Sequence, residues 1–127
     1  GYISMEDENE SVSKTLEYAY NDYCIAMMIP FVVENIQKEV YRKGNSGIIS
    51  IDEKAFQKTI NSLETDFKKY LQRAQSYKNL FDAETGFMRP RQNGGFVSPF
   101  KPNEVTFHFT EGNSWQYTFF VPHDVEG

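Results

Sequence analysis

The sequence is poor in the features that mark several protein classes. It has 127 residues and one cysteine, Cys24, so no internal disulfide can form. Acidic residues outnumber basic residues by 18 to 13, which gives a formal net charge of −5 at pH 7. Binding to nucleic acid usually requires a concentrated basic surface, so no nucleic-acid partner is expected.

Long apolar runs and metal-binding motifs are also missing. A membrane-spanning helix needs about 20 apolar residues, whereas the longest candidate, residues 24–33, is shorter and contains Pro30. No membrane partner is therefore expected, and the acidic first residues predict no signal peptide within the chain. His108 and His123 have no Cys or second His at ligand spacing, so no metal is expected in this segment.

Aromatic residues, in contrast, are abundant at 16% of the chain. Eleven Phe, eight Tyr and one Trp suit either a dense core or a cleft that binds carbohydrate. Composition leaves both possibilities open.

Apolar residues recur at three- and four-residue steps from Ser11 onward, which predicts an amphipathic helix that begins near this residue. Pro30 lacks an N–H and is expected to kink or break the helix. The spacing then resumes, and the Gly-Asn-Ser-Gly sequence at 44–47 is expected to end it. The predicted buried stripe comprises Val12, Leu16, Ala19, Tyr20, Tyr23, Met27, Val32, Val33, Ile36 and Val40.

A second helix is predicted after residues 48–51, with Ser50 or Asp52 as its cap. Its stripe is the most regular pattern in the chain and indicates core rather than a binding site. It predicts that the two helices pack as a long antiparallel hairpin over residues 11–81. The stripe comprises Phe56, Ile60, Leu63, Phe67, Tyr70, Ala74 and Tyr77.

The remaining region, residues 82–127, has the character of loops and short strands. A turn at 82–86 and an irregular β-hairpin around Asn93-Gly94-Gly95 are predicted. Alternation from 105 to 110 predicts a half-buried strand, and a short helix capped by Ser114 is expected to follow. The fold class is therefore mainly α, with a helical hairpin followed by an irregular β-hairpin and loop region. Arg89 and Arg91 could hold sugar hydroxyls or structural carboxylates, and a structural role is expected.

Glu111 is the carboxylate best placed for chemistry. In strand phase it falls on the apolar side with Val105, Phe107 and Phe109, where loss of solvation would raise its pKa. A protonated carboxyl of this kind could donate a proton to the leaving oxygen of a glycosidic bond. The alternative is a surface or capping glutamate before Gly112.

Three stretches, residues 10–20, 77–91 and 108–117 with its continuation at 121–124, resemble family 92 of the glycoside hydrolases. Members of that family are exo-acting, calcium-dependent α-mannosidases common in gut Bacteroides. The resemblance covers roughly residues 1–27 and 70–127. It implies that the chain is a segment of an (α/α)6 barrel catalytic domain.

The resemblance also implies roles for single residues. Glu111, in Thr-Glu-Gly-Asn-Ser-Trp-Gln, would be the general acid of a single-displacement, inverting mechanism. Calcium in the complete enzyme would contact the 2- and 3-hydroxyls of mannose. His108, Asn113, Trp115 and Gln116 are expected to line or support the cleft.

The sequence departs from the expected family pattern in two respects. Residues 28–69 are longer than the expected link between the helices, which predicts an insertion. The base carboxylates, in a Gly-Asn-Asp-Asp type motif, and the calcium ligands are expected downstream and are not found in these 127 residues. The segment alone is therefore expected to be inactive.

Partners follow from the same resemblance. They are mannose-containing glycans and the remainder of the catalytic domain, with self-association of the isolated segment through exposed helix faces. A secreted, periplasmic or cell-surface location in a bacterium is implied. The alternative is a non-catalytic module, derived from a mannosidase, that uses the helical hairpin for interaction or its aromatic residues for sugar binding.

Overall fold

A computed structural model describes residues 1–47 and 52–126. Two long α-helices are followed by a 3-10 helix, two small antiparallel hairpins and one short α-helix, so the mainly α fold class is confirmed. In the first hairpin Phe81 pairs with Met88, and in the second Arg91 pairs with Phe96. The elements are α1 Ser11–Asn45, α2 Glu53–Ala74, the 3-10 helix Gln75–Asn79, β1 Phe81–Asp82, β2 Phe87–Met88, β3 Arg91–Gln92, β4 Gly95–Phe96 and α3 Ser114–Tyr117.

The two long helices pack on each other as predicted, and an ion pair joins them near the base of the hairpin. Arg73 Nε lies 2.8 Å from the buried Asp22 carboxylate. The predicted stripe of α2 is only partly core, because Ile60 and Ala74 are buried whereas the other members within α2 are half-buried. A pair of helices without a third layer covers only one side of each helix, which accounts for the difference.

Of the kink or break predicted at Pro30, the break is wrong, since α1 runs through this residue. Ile29 is buried before the proline and Val33 is half-buried after it. Both lie on the same face of α1 as Asp22, which contacts α2, and packing on both sides of Pro30 offsets its lost backbone hydrogen bond.

The start of α2 agrees with the prediction of an Asp52 cap. The Asp52 carboxylate accepts hydrogen bonds from the backbone N–H groups of Lys54 (3.0 Å) and Ala55 (3.1 Å). Ser50, the alternative cap, and the apolar bridge at 48–51 lie outside the described residues.

One core serves both the helical hairpin and the region after it. It brings the first three turns of α1 together with the 3-10 helix, β2 and the loop before α3. The described parts of the helical hairpin and of the region after it therefore share this core. Its buried members are Val12, Leu16, Ala19, Tyr77, Leu80, Met88 and Phe109.

The β-hairpins depend on tight turns and on a buried ion pair. Asn93 and Gly94 both have positive φ, 49° and 81°, as a two-residue hairpin turn requires. Arg89 lies 2.9 Å from the Asp82 carboxylate and also donates to the carbonyl of Val97. This structural role of Arg89 was expected from the sequence.

The charged state of Asp82 is stabilised by its neighbours. Hydrogen bonds from Thr85 and Arg89, together with the nearby positive charge of Arg89, hold the pKa of Asp82 below its ordinary value of 3.8. Because the folded pKa is depressed, the stabilisation is complete above pH 3.8 and is lost as the pH falls through the folded pKa.

We predict that Asp82→Asn lowers the midpoint of thermal unfolding at pH 7, because it removes the charge that Arg89 faces. The difference from the unmodified protein should shrink as the pH falls below about 4. Thermal unfolding followed by circular dichroism at several pH values tests this, with exposed Asp7→Asn as the control. A difference that is equal at pH 7 and pH 2.5 would contradict the assignment.

Candidate active site

The loop before α3 provides the acceptors for the N-terminus of α1. The first amide groups of a helix have no partners within the helix. Here the N–H of Glu10 donates to the carbonyl of Phe107 (2.6 Å), and the N–H of Val12 donates to that of His108 (3.2 Å). Among the described residues, the Glu10 side chain forms no capping hydrogen bond, so the distant loop is the cap.

This use of the carbonyl groups explains why the predicted strand at 105–110 is wrong. The segment forms turns, and two consecutive residues, His108 and Phe109, are buried while Val105 and Phe107 are exposed. A strand would alternate its buried side chains. Glu111 is exposed as well. The sequence had placed it on the apolar side of a strand, and this segment does not provide the loss of solvation expected there.

The residues on either side of Glu111 are tightly held. Ser13 Oγ accepts a hydrogen bond from the N–H of Thr110 (2.7 Å), and the Tyr117 hydroxyl donates to the Thr110 carbonyl (2.8 Å). Glu111 itself has φ 50°, in the left-handed region. A Cβ on the next residue, Gly112, would lie 2.7 Å from Gln116 Oε1 and 3.0 Å from the Tyr117 ring.

A capping box begins α3. The Asn113 side chain accepts from the N–H of Gln116 (3.2 Å), and the Gln116 side chain accepts from the N–H of Asn113 (3.1 Å). The short helix is as predicted, but Asn113 rather than Ser114 caps it. The Ser114 hydroxyl instead donates to the Met88 carbonyl, which fastens α3 to β2.

Trp115 presents an aromatic surface beside this loop. Its side chain is 52% exposed, and its ring meets Phe87 edge to face with centroids 5.1 Å apart. Its backbone N–H donates to the carbonyl of Pro102 (3.1 Å). The ring is thereby held in place while one part of it stays open to solvent.

His108 is a buried residue that supports the loop. The side chain is buried, and burial lowers its pKa from the ordinary value of 6.5, so the ring is neutral at pH 7. Within the described part of the chain its Nδ1 has no hydrogen-bond partner. The ring packs against Phe107 with centroids 4.8 Å apart.

The structure therefore divides the predicted site residues into two groups. Glu111, Trp115 and Gln116 are exposed, but Gln116 also joins His108 and Asn113 in holding the loop. The roles of all five residues towards a sugar stay predictions. Ser13 and Tyr117 were not identified from the sequence. Tyr117 ends the Thr-Glu-Gly-Asn-Ser-Trp-Gln-Tyr stretch, but Ser13 is 97 residues from Thr110 and carries no local signal.

The calcium ligands that the resemblance implies are expected outside this segment. Across 1–47 and 52–126, no three His, Cys, Asp or Glu side chains are grouped closely enough to hold a metal ion. In the same ranges, no helix is sufficiently long and apolar to span a membrane.

Comparison with known proteins decides the family. The model of the Glycosyl hydrolase family 92 catalytic domain matches residues 1–127. The chain belongs to this family. The match spans residues 28–69 as well as the stretches that carry the resemblance, and the insertion there stays a prediction.

Solved structures agree with the family assignment. A family 92 α-mannosidase from Bacteroides thetaiotaomicron is 36% identical with a TM-score of 0.67, over 95% of this chain and 13% of that one. It has also been solved in complex with mannoimidazole. An inverting family 92 mannosidase from the same species is 30% identical with a TM-score of 0.66, over 97% and 13% of the two chains.

A curated fungal relative also matches. An uncharacterised secreted glycosidase from Arthroderma benhamiae is 27% identical over 98% of this chain and 16% of its own length. The family 92 chain thus spans about a seventh of the length of the relatives it matches. It corresponds to one part of a family 92 catalytic domain.

We predict that Gly112→Ala destabilises the loop, because its Cβ would displace the Gln116 amide or the Tyr117 ring. Overpacking of this kind costs about 1–3 kcal/mol. Thermal or urea unfolding measures the loss. Gly95→Ala is the matched control, since its Cβ would meet only the Gln92 carbonyl at 3.8 Å. Equal stability of the two variants would show that the contacts around Gly112 are not tight.

Proposed function

We propose that this chain is the part of a family 92 α-mannosidase that supplies the general acid, Glu111, for the hydrolysis of α-linked mannosides. The observation that carries the proposal is the presentation of an exposed carboxyl by a loop whose adjacent backbone groups are hydrogen-bonded. Family membership and the similarity to solved α-mannosidases support the substrate class.

The proposed reaction is an inverting hydrolysis. Glu111 donates its proton to the glycosidic oxygen as the bond from that oxygen to the anomeric carbon breaks. A water molecule attacks the anomeric carbon from the opposite face and gives its proton to a carboxylate base. In inverting enzymes the two carboxyl groups lie about 6.5–9.5 Å apart, which leaves room for this water. We place the base in the remainder of the catalytic domain.

The sugar would contact this segment through its exposed groups. Trp115 offers an aromatic face on which the apolar side of a mannose ring could pack. Its contact with Phe87 and its backbone hydrogen bond to Pro102 keep that face in a fixed position. Asn113 and Gln116 shape the loop through their reciprocal capping bonds.

The complete enzyme is proposed to be calcium-dependent, with its ligands drawn from residues outside this segment. Export from the cell, to the periplasm or surface of a bacterium, suits an enzyme that degrades extracellular glycans. The description of the fungal relative as a secreted glycosidase supports export.

A second function is favoured by the exposed apolar residues in the middle of α1. Met28 and Phe31 are 63% and 65% exposed, although both are apolar. A surface of this kind could serve a helical-hairpin interaction module that keeps the family sequence but no chemistry. The same surface would drive self-association of the isolated segment. The two readings differ in whether Glu111 is needed for turnover.

In the complete enzyme, Glu111→Gln should reduce kcat/KM by about 10²- to 10⁴-fold for mannosides with poor leaving groups. Activated aryl mannosides need little proton donation to the leaving group, so the loss of kcat/KM for these substrates should be at least 10-fold smaller. Steady-state kinetics on a series of leaving groups measures the difference. Glu64→Gln, an exposed change on α2, is the matched control. Equal losses across the series would argue against a general-acid role.

The isolated 127-residue chain should not hydrolyse an aryl α-mannoside, with or without calcium, because an inverting reaction needs a base as well as an acid. A sensitive assay of aryl release at micromolar protein concentration tests this. Turnover above the rate of a Glu111→Gln chain would contradict the proposal that the base lies outside this chain.

A further inference from the structure

We infer that Ser13 and Tyr117 are positioning residues for Glu111. Each holds one backbone group of Thr110, the residue before the proposed acid, and together they fix the direction in which the carboxyl projects. The inference rests on the proposed function and extends it to two residues from opposite ends of the chain.

Ser13 reaches the loop from the first turn of α1. Its side chain is fully buried at 0% exposure, and its Oγ accepts the Thr110 N–H at 2.7 Å. The same turn donates the Val12 N–H to His108. Helix and loop therefore exchange hydrogen bonds in both directions. A loop held by reciprocal bonds cannot slide along the helix without breaking them all.

Tyr117 reaches the loop from α3. Its hydroxyl donates to the Thr110 carbonyl at 2.8 Å, and its ring packs against Phe109 with centroids 5.6 Å apart. The ring also lies close against Gly112, as the 3.0 Å approach of an added Cβ indicates. Tyr117 therefore contacts the residues on both sides of Glu111.

The element that carries Tyr117 is itself anchored. Thr118 Oγ1 accepts the Met88 N–H at 3.0 Å, and the Ser114 hydroxyl donates to the Met88 carbonyl. Both backbone groups of Met88 are thus tied to α3. These two hydrogen bonds fix the position of α3, and therefore also the position of the Tyr117 hydroxyl.

These contacts matter because Glu111 has a backbone conformation that non-glycine residues rarely adopt, with φ 50°. Such a conformation persists when the surrounding structure holds it. If either hydroxyl is removed, the backbone of Thr110 gains freedom, and the Glu111 carboxyl departs from the leaving oxygen. Proton transfer requires hydrogen-bond distance, so this displacement lowers the rate of the acid-dependent step.

The test uses the complete enzyme with Tyr117→Phe and Ser13→Ala, which remove one hydroxyl each. For poor leaving groups, each variant should lower kcat by about 10-fold, and for activated aryl mannosides by less than about 2-fold. Tyr41→Phe and Ser62→Ala, at exposed positions on α1 and α2, are matched controls and should leave both rates unchanged.

A purely structural role predicts a different result. It would lower kcat by the same factor for every leaving group, or lower only the unfolding temperature, and either outcome would overturn the inference. Combination with Glu111→Gln provides a second measurement. If Tyr117 acts through Glu111, Tyr117→Phe should reduce kcat by less than about 2-fold in the Glu111→Gln background. An undiminished 10-fold effect there would contradict the positioning role.

The two hypotheses fail in distinguishable ways. If Glu111→Gln shows no dependence on the leaving group, the proposed function fails and the positioning inference fails with it. If Glu111→Gln shows the dependence but Tyr117→Phe and Ser13→Ala do not, the general acid stands and only the positioning inference is rejected.

Discussion

The unsatisfied amide groups at the N-terminus of α1 are the constraint on which the rest of this segment depends. A helix end that is partly buried must find acceptors for these groups. The carbonyls of Phe107 and His108 supply them, and this prevents residues 105–110 from pairing as a strand. One requirement of the first helix therefore determines the path of a loop almost a hundred residues later, and with it the location of Glu111.

That loop is also joined to the small β-structure through α3. The hydroxyls of Ser114 and Thr118 satisfy both backbone groups of Met88 on the side of β2 that faces α3, while Phe81 pairs with it from β1. The candidate site thus lies where a helix terminus, a short helix and a hairpin edge meet. The Glu111 carboxyl is exposed, but secondary structure supports the loop that carries it. An acid that must point in one direction requires such support.

The far end of the helical hairpin is much less buried. Buried residues of α1 end at Ile29, and α2 buries only Ile60 and Ala74. Apolar residues such as Phe31 remain exposed because two helices alone cannot enclose both of their faces. The relatives' own chains are about seven times as long as this one, so they contain further elements that could cover such faces. The base of the hairpin and the loop, by contrast, share a core within these 127 residues.

Local patterns in the sequence determined the two long helices, the Asp52 cap, the Asn93-Gly94 turn and the motif that contains Glu111, because periodicity and turn chemistry act between near neighbours. The half-burial of the α2 stripe, the continuity of α1 through Pro30 and the absence of the 105–110 strand were decided by tertiary packing. The same holds for Ser13 and Tyr117. Their hydroxyls reach Thr110 only when α1, the loop and α3 pack together. A local sequence pattern does not indicate which distant carbonyl or amide a side chain will bond.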